Sequence, residues 1–499
     1  MLTVCAMSAT IMQALDTTVA NVVMPYMQGS LSASIDQVNW VLTSYIVASA
    51  IFTAPVGWLA SRFGRKRLFL ACTLGFTVAS VLCGLAQNIE QMVLFRLFQG
   101  IFGAGLIPLS QAVMLDAYPV EERGMAMSIW GMGIMLGPIM GPTIGGWLTE
   151  TYSWHWVFLI NFPVGILTLA GLIIFLDEST PQTNLRFDWI GFAALTVGIG
   201  SLQLVFDRGE QLGWLESPEI VAELIIGVAG FYYFFAHSLT TREQFIKFEL
   251  FKDRNFAGSC IFMAVLGLTV FSTMALSTLY LQNVLLYPVW SAGLMLAARG
   301  FGTMTGMMVV GRLLKYFEAR NIMLVGMVTA TITMYQMVYF TNMTSATTII
   351  IVTCIQGLGL GLVFVPLNIV SFATLPPHLR TDGASILTLI RNIGSSAGIP
   401  IVIAVLVNST GVNRAQIIES ITPFNDPLRA PDVARTLDMA TDTGRALLDN
   451  IVNQQAMIIG FSNAFKLLTI LTLISIPLLF ILGSSRLPRQ AVARPVPAE

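Results

Sequence analysis

Four charged residues interrupt long apolar segments of the chain, and their chemistry is the most constrained in the sequence. They are Asp16, Arg96, Arg299 and Arg391. A charge in membrane hydrocarbon costs about 2.5–3.5 kcal/mol on insertion scales, so it persists where it faces a cavity or a partner. A buried acid can take up and release a proton, and a cation that faces a cavity can bind an anion. These residues are therefore candidates for ion or substrate handling, provided that the segments around them span a membrane.

The composition indicates a membrane protein. Of the 499 residues, 55% are hydrophobic and 11% are charged, against roughly 25% charged in soluble domains. The mean hydropathy is +0.75. The 26 basic and 27 acidic residues leave no charge excess, which argues against a nucleic-acid partner. The five cysteines are scattered, so neither a disulfide framework nor a metal site is indicated.

Apolar runs of about 20 residues predict fourteen membrane-spanning helices. We interpret residues 1–25 as the first span rather than as a signal peptide, because no basic residue precedes the apolar stretch and Asp16 lies within it. The missing basic flank also leads us to expect a natural start slightly upstream. The expected spans are 1–25, 38–60, 68–86, 91–114, 124–148, 154–176, 188–207, 218–237, 256–281, 288–311, 321–341, 347–371, 385–407 and 456–482.

The basic residues between these spans predict the orientation of the chain. With a cytoplasmic N-terminus, 17 of the 26 basic residues fall on cytoplasmic segments and 5 in outer loops, as the positive-inside rule requires. The longest connection, 408–455, is then extracytoplasmic. The tail 483–499, rich in proline and arginine, is expected to be disordered and cytoplasmic. Both termini are therefore predicted to lie in the cytoplasm.

A weak internal repeat predicts the architecture. Residues 57–68 resemble residues 311–322 at an offset of 254, and a second pair of segments, around spans 4 and 12, matches at an offset of 257. Both offsets correspond to eight spans, an even number, so the two halves should have parallel orientation. We expect an all-α membrane protein in a six, two, six arrangement. Its parts are a six-helix bundle at 1–176, two inserted helices with linkers at 177–255, and a six-helix bundle at 256–482.

Five segments of the sequence stand out as possible family signatures, namely LDTTVANVVMP at 15–25, GWLASRFGRKRL at 57–68, LFRLFQGIFGAG at 94–105, GIMLGPIMGPTIGG at 133–146 and WHWVFLINFPVG at 154–165. In this order they resemble the signatures of the major facilitator superfamily, specifically its fourteen-span drug:proton antiporters. Two more, GIGSLQLVFDRGEQLGWLESPEI at 198–220 and FELFKDRNF at 248–256, are similar to the EmrB-type branch. The resemblance implies the major-facilitator fold for all but the tail of the chain. Ser61 departs from the family pattern, which has an aspartate there.

The resemblance implies a proton-coupling site in the first half. Spans 1 and 4 both face the cavity of the resembled fold, which makes Arg96 the expected partner of Asp16. Gln99 follows Arg96 by three residues and shares its helix face. A proton that reaches Asp16 from outside would release Arg96, and loss of that proton to the inside would restore the pair. The alternative is a structural ion pair that never titrates.

The loop after span 2 carries several basic residues, and its minimum role is to orient the chain. The resemblance also implies that Arg65 pairs with Asp116 and latches the outward-facing state. Arg62 belongs to the same loop, while Gly57 and Gly64 would permit close helix approach and a tight turn.

Span 5 has a glycine at every fourth position from 133 to 145, which allows a neighbouring helix to approach closely. Its two prolines should kink the helix. The resemblance implies that this segment seals the interface between the halves against proton leak, and the alternative is ordinary helix packing. The residues concerned are Gly137, Pro138, Gly141, Pro142, Gly145 and Gly146.

The second half offers fewer partners for its buried charges. Arg299 has no obvious acid within the membrane except Glu223 of span 8, which could instead lie among lipid headgroups. Arg391, next to Asn392, could extend towards the cytoplasmic surface or serve a function. These four residues are the candidates for a cavity in the second half.

These observations predict a proton-driven exporter of hydrophobic or amphipathic toxic compounds in the bacterial inner membrane, working by alternating access. The sequence contains neither GxxxxGK[ST] nor HExxH, so we expect no ATP, metal or cofactor and no enzyme activity. The resemblance implies a periplasmic membrane-fusion adaptor of the EmrA type and an outer-membrane channel as partners. The loop 408–455, with a predicted amphipathic helix at 433–452, is the expected docking surface. The alternatives are a proton-coupled symporter or exporter of organic anions or metabolites and, more remotely, a membrane-embedded sensor or enzyme.

Overall fold

The protein is all-helical in the part that the structure, a computed structural model, describes. Within that part there are seventeen α-helices and no β-strand. The prediction of an all-α protein is confirmed. The described residues are 1–119, 122–178, 181–182, 185–209, 211–241, 244–421, 437, 441–480 and 482.

The first half consists of nine helices, because three expected spans are broken. Span 2 is bent by 56° between α2 and α3, where Pro55 lacks the backbone N–H that would continue the helix. Span 4 breaks before α6, where the N–H of Ile107 donates to Gln13 Oε1 at 3.2 Å. The helices are α1 (Leu2–Ser30), α2 (Ile35–Thr53), α3 (Val56–Phe63), α4 (Arg65–Gly84), α5 (Ile89–Gly103), α6 (Leu106–Ala117), α7 (Arg123–Thr151), α8 (His155–Leu159) and α9 (Asn161–Phe175).

Two helices that pack on each other follow, and then six more. α10 begins at a cap in which Asp188 accepts from the N–H of Gly191, and α11 has Pro218 in its first turn, where no N–H is needed. α10 also contacts α2 and the sixteenth helix. The bounds are α10 (Trp189–Arg208), α11 (Pro218–Thr240), α12 (Arg254–Leu279), α13 (Val289–Leu313), α14 (Ala319–Met337), α15 (Ala346–Ala373), α16 (Arg380–Ser420) and α17 (Asp442–Ser475).

Most of these helices can cross a membrane. By length and apolar composition, twelve described helices qualify, or up to thirteen when the bent pair of α2 and α3 counts as one span. α14 coincides with the expected span 11 but does not meet the same criterion. The chain is thus a multi-span helical protein.

Both ends of the long connection 408–455 are helical, whereas the sequence predicted a helix only at 433–452. α16 continues to Ser420. It ends shortly before Pro423 in the sequence, and a proline disfavours helical backbone in the residue that precedes it. α17 begins at Asp442, where the Thr441 side chain accepts from the N–H of Gly444, so the helix predicted at 433–452 is helical over residues 442–452. Residues 422–436, 438–440 and 483–499 lie outside the described part of the structure, so the expected tail is not described.

The two halves contact each other through corresponding helices. α7 packs against α13 and α15, and α16 packs against α2, α3 and α6. Gln111 Nε2 donates to Asn368 Oδ1 at 2.6 Å, and these two residues are 257 positions apart. This separation equals one repeat offset, so each residue contacts its own counterpart. The rings of Trp130 and Phe364 stack beside them with centroids 6.2 Å apart.

Replacing Gly302 with alanine should destabilise the protein, because a Cβ there would overlap the Cys354 carbonyl of α15. Overpacking of this kind costs about 1–3 kcal/mol. Thermal unfolding in detergent measures the loss. Gly146→Ala is the matched control, since a Cβ at Gly146 meets nothing within 4 Å and both changes gain similar helix propensity. A midpoint for Gly302→Ala equal to that of the control would contradict the predicted overlap.

Candidate functional site

The structure brings Asp16, Arg96 and Gln99 together inside the first half. Arg96 Nη1 donates to Asp16 Oδ2 at 2.6 Å and to Gln99 Oε1 at 2.8 Å. Gln99 Nε2 donates to Asp16 Oδ1 at 2.7 Å. The three side chains thus form a closed triangle of hydrogen bonds between α1 and α5.

Three further helices complete the surroundings of this triangle. Asn161 of α9 donates to Asp16 Oδ1 at 3.3 Å and to Ser80 Oγ of α4 at 2.9 Å. The guanidinium carbon of Arg96 lies 4.3 Å from the ring centroid of Tyr45 on α2, a cation–π contact. Arg96 Nε donates to the Val41 carbonyl at 3.2 Å. Each charged group therefore has partners from several helices.

Small residues on α5 allow this convergence. A Cβ on Gly100 would overlap the Tyr45 carbonyl, and a Cβ on Gly103 would crowd the Tyr45 hydroxyl. α2 can therefore approach α5 closely enough for the Tyr45 ring to cover Arg96. The α5 sequence supplies both the charged group and the space that its neighbour needs.

The triangle is sealed rather than open to a cavity. Asp16 is 3% exposed, and Arg96 and Gln99 have no exposed surface. Two buried charges are stable only when they are paired and hydrogen-bonded, and removal of one partner leaves an uncompensated charge. Arg96 Nη2 has no hydrogen-bond partner among the described residues. Protonation of Asp16 would therefore leave a poorly compensated guanidinium and favour a rearrangement.

Sequence reasoning missed Asn161, Tyr45 and Ser80. Asn161 was visible as a polar residue within the motif at 154–165. Tyr45 and Ser80 carried no signal, because uncharged polar residues are common in membrane spans and their partners lie on other helices.

A second charged cluster lies where the halves meet, at the turn between α3 and α4. Arg65 donates to Asp116 Oδ2, and Arg380 of the second half donates to Asp116 Oδ1. Asp116 therefore joins two arginines from different halves, although the resemblance implied only the contact with Arg65. Gly64 has a φ of 91° at the turn, a conformation that favours glycine.

Gly57 allows a close approach between the halves. A Cβ at this position would overlap Asp382 of α16. Asp382 in turn accepts from Lys247 Nζ at 2.9 Å, and Lys247 belongs to the segment that joins the inserted helices to the second half. Arg62 lies in the last turn of α3, and its Nη1 has no partner among the described residues.

Three of the predicted glycines of α7 face α1. A Cβ on Gly137 would overlap Ala14, on Gly141 it would overlap Thr18, and on Gly145 it would crowd Val19. Gly146 has open space instead. α7 is one unbroken helix from Arg123 to Thr151, and the side chains of Pro138 and Pro142 lie outside the described part of the structure. α7 also packs against α13, which places it at the interface between the halves.

The candidates in the second half do not converge. Arg299 Nη2 donates to the Val270 carbonyl of α12 at 3.0 Å, and the charged neighbours of Glu223 are Glu219 and Arg208. The structure therefore does not bring Glu223 to Arg299. The Asn392 carbonyl accepts from Ser395, while Arg391 Nε has no partner among the described residues.

Comparison with known proteins identifies the family that this chain resembles. The Major Facilitator Superfamily profile matches residues 6–399. The multidrug export protein EmrB of Escherichia coli (strain K12) is 32% identical over 467 residues, which cover 93% of this chain and 91% of that protein. The fatty acid resistance protein FarB of Neisseria gonorrhoeae is 31% identical over 476 residues, covering 95% and 94%.

A solved structure supports the same fold. The human organic anion transporter MFSD10 (TETRAN) superimposes with a TM-score of 0.61 over 96% of this chain and 98% of that chain, at 11% identity. This likeness supports the fold alone. The family profile and the two relatives that are more than 30% identical in sequence support homology. Together they confirm the resemblance inferred from the motifs. The chain belongs to the major facilitator superfamily and, within it, to the group of EmrB-type multidrug export proteins.

Proposed function

We propose that this protein is a proton-coupled antiporter that exports hydrophobic or amphipathic toxic compounds by alternating access. The major facilitator superfamily is a family of transporters rather than of enzymes, and the EmrB relative is named as a multidrug export protein. The observation that carries proton coupling is the sealed pair of Asp16 and Arg96, 2.6 Å apart within apolar helices. The proton gradient, rather than a bound cofactor, supplies the energy in this proposal.

The coupling cycle follows from the hydrogen bonds of Asp16. An ionised Asp16 accepts from Arg96, Gln99 and Asn161 and so holds α1 against α5 and α9. A proton that enters from outside removes the charge that compensates Arg96, and α1 is then free to shift relative to α5. Release of the proton to the cytoplasm restores the pair. Inward flow of protons down their gradient thus resets the site for the next export step.

The contacts of Asp116 form the proposed latch. Arg65 and Arg380 both donate to this carboxylate, while Gly57 packs against Asp382 at the same end of the halves. The positive-inside rule places this end in the cytoplasm. The structure then represents a state that is closed towards the cytoplasm, and inward opening requires these contacts to break.

The membrane topology of the proposal has fourteen spans and both termini in the cytoplasm of a bacterial inner membrane. α14 counts as the fourteenth span because it lies at the expected span 11 and packs against α15 and α17. Its 19 residues correspond to about 28 Å of helix, close to the thickness of membrane hydrocarbon. The six, two, six division agrees with the packing of α10 on α11 between the two halves.

The extended ends of α16 and α17 form the proposed docking surface for a periplasmic adaptor. α16 has 41 residues, a length of about 60 Å, roughly twice the hydrocarbon thickness. Arg414 donates to Asp449 at 2.8 Å and to Asn453 at 2.6 Å, which holds the two helices together beyond the predicted span. We propose that these two helix ends meet an EmrA-type adaptor, and that the adaptor links the protein to an outer-membrane channel.

Export of organic anions is the second candidate function. Arg299 is buried without an acidic partner among the described residues, and a relative is named as a fatty acid resistance protein. Under this alternative the proton chemistry of Asp16 is unchanged and only the substrate differs.

Asp16→Asn should abolish proton-driven dye transport, because the amide cannot release a proton and cannot compensate Arg96. The measurement is ethidium accumulation in inverted vesicles energised by a proton gradient, with an uncoupler as the reference for zero coupling. Asp177→Asn is the control, since Asp177 is an exposed acid. Transport by Asp16→Asn at the wild-type rate would reject the proton role of this residue.

Asp116→Asn should favour opening at the expected cytoplasmic end, because both arginines lose their anionic partner. A loss of about 1–2 kcal/mol would shift the ratio of states roughly 5–30-fold. Spin labels at Phe63→Cys and His378→Cys, both exposed positions, report the distance between the halves.

Glu178→Gln is the matched control for this change. Glu178 is an exposed acid that follows α9 and lies 3.7 Å from Arg67 of α4. Its loss should leave the distance distribution unchanged. A distribution for Asp116→Asn that matches both the control and the wild type would show that Asp116 does not latch the halves.

A further inference from the structure

The second half contains a counterpart of the Asp16 site from which the acid is missing. At the offset of 254 between the halves, Val270 corresponds to Asp16 and Arg299 corresponds to Tyr45. The second half therefore has an arginine on α13 where the first half has a tyrosine on α2. The aliphatic side chain of Val270 stands where a carboxylate like that of Asp16 would neutralise this arginine.

Helix packing supports this correspondence. A Cβ on Gly100 would overlap the Tyr45 carbonyl, and a Cβ on Gly357 would overlap the Arg299 carbonyl. The two glycines are 257 positions apart, which is the second repeat offset. A glutamine precedes each of them, and in the second half it is Gln356. The position of Gln356 beside Arg299 thus repeats that of the site glutamine of the first half.

Both polar side chains of the counterpart are buried and incompletely paired. Arg299 is 7% exposed and makes no ion pair with a described residue; its Nη2 donates to the Val270 carbonyl, but its Nη1 has no partner there. Gln356 has no exposed surface, and neither atom of its amide has a partner in the described part of the chain. A buried donor without an acceptor is costly, and more so when it is charged. Two such side chains at one repeat position indicate a ligand site.

We propose that Arg299 and Gln356 bind the carboxylate of an anionic, otherwise apolar substrate. The ligand carboxylate would occupy the role that Asp16 has in the first half, where an arginine and a glutamine donate to its two oxygens. Charge-assisted bonds of this kind are the strongest that a guanidinium makes. This proposal rests on the transport function proposed above and assigns to it a substrate class and a site.

The position of the site suits a transported molecule. Gly300, the residue after Arg299, packs against Ile139 of α7, so the site lies beside the interface between the halves. Separation of the halves during alternating access would open it. The partly buried side chains of Met295 and Leu296 lie on the same helix in an apolar cluster and can contact the apolar part of the ligand.

The test uses three naphthalene compounds that share a shape and differ in charge, namely 2-naphthoate, 2-naphthamide and 2-naphthylmethylammonium. Their binding to the full-length protein in lipid nanodiscs is measured by titration calorimetry. The wild type should bind the naphthoate at least about tenfold more tightly than the amide and should bind the ammonium compound most weakly. Arg299→Gln should remove the preference for naphthoate, whereas Arg299→Lys should retain part of it. Gln356→Leu should weaken naphthoate binding without changing amide binding.

Arg312→Gln is the matched control, because it removes an exposed arginine from the same helix, and it should keep the preference for naphthoate. If the wild type binds naphthoate and naphthamide equally, this result alone overturns the proposal. A preference that survives Arg299→Gln, or full displacement of naphthoate by an equal concentration of chloride, would overturn it as well. Asp16→Asn distinguishes this site from the proposed antiport. It should keep the preference for naphthoate over naphthamide while it loses proton-driven transport, so either proposal can fail alone.

Discussion

The ion pair between Asp16 and Arg96 is the interaction on which the first half of this transporter depends. Neither charge would be stable alone in an apolar bundle, because the loss of hydration exceeds what a single contact returns. The sequence meets this constraint with polar groups from α4, α5 and α9 and with the aromatic ring of Tyr45. Glycines in α5 then bring the helices close enough for those groups to reach. Close helix packing is therefore necessary for charge compensation at this site.

The helices and their order could be predicted from the sequence, because a span needs a long apolar run that few other features imitate. The breaks within spans could not be predicted in the same way. The start of α6 depends on a hydrogen bond from Ile107 to Gln13 of α1, and no local pattern marks such a contact. The helical residues 408–420 were also hidden, since their polar sequence resembles that of a loop.

The candidate site was predictable to the extent that its residues are charged. Asp16 and Arg96 interrupt apolar runs and can be found by inspection, whereas Asn161 and Tyr45 differ little from ordinary residues of membrane helices. Arg380 and Asp382 were visible only as charges of a short connection. Their contacts with Asp116 and Gly57 join segments more than 260 positions apart in the chain, so only the fold could reveal them.

The length of α16 has a mechanical consequence. Arg380 lies in its first turn and Arg414 lies near its other end, with Pro400 between them, and the helix remains unbroken over this distance. A tilt of this rod about its middle moves its two ends in opposite directions. α17 follows the same motion because Asp449 and Asn453 hold it to Arg414. Disengagement of Arg380 at one end of α16 would therefore move Arg414, and α17 with it, at the other end.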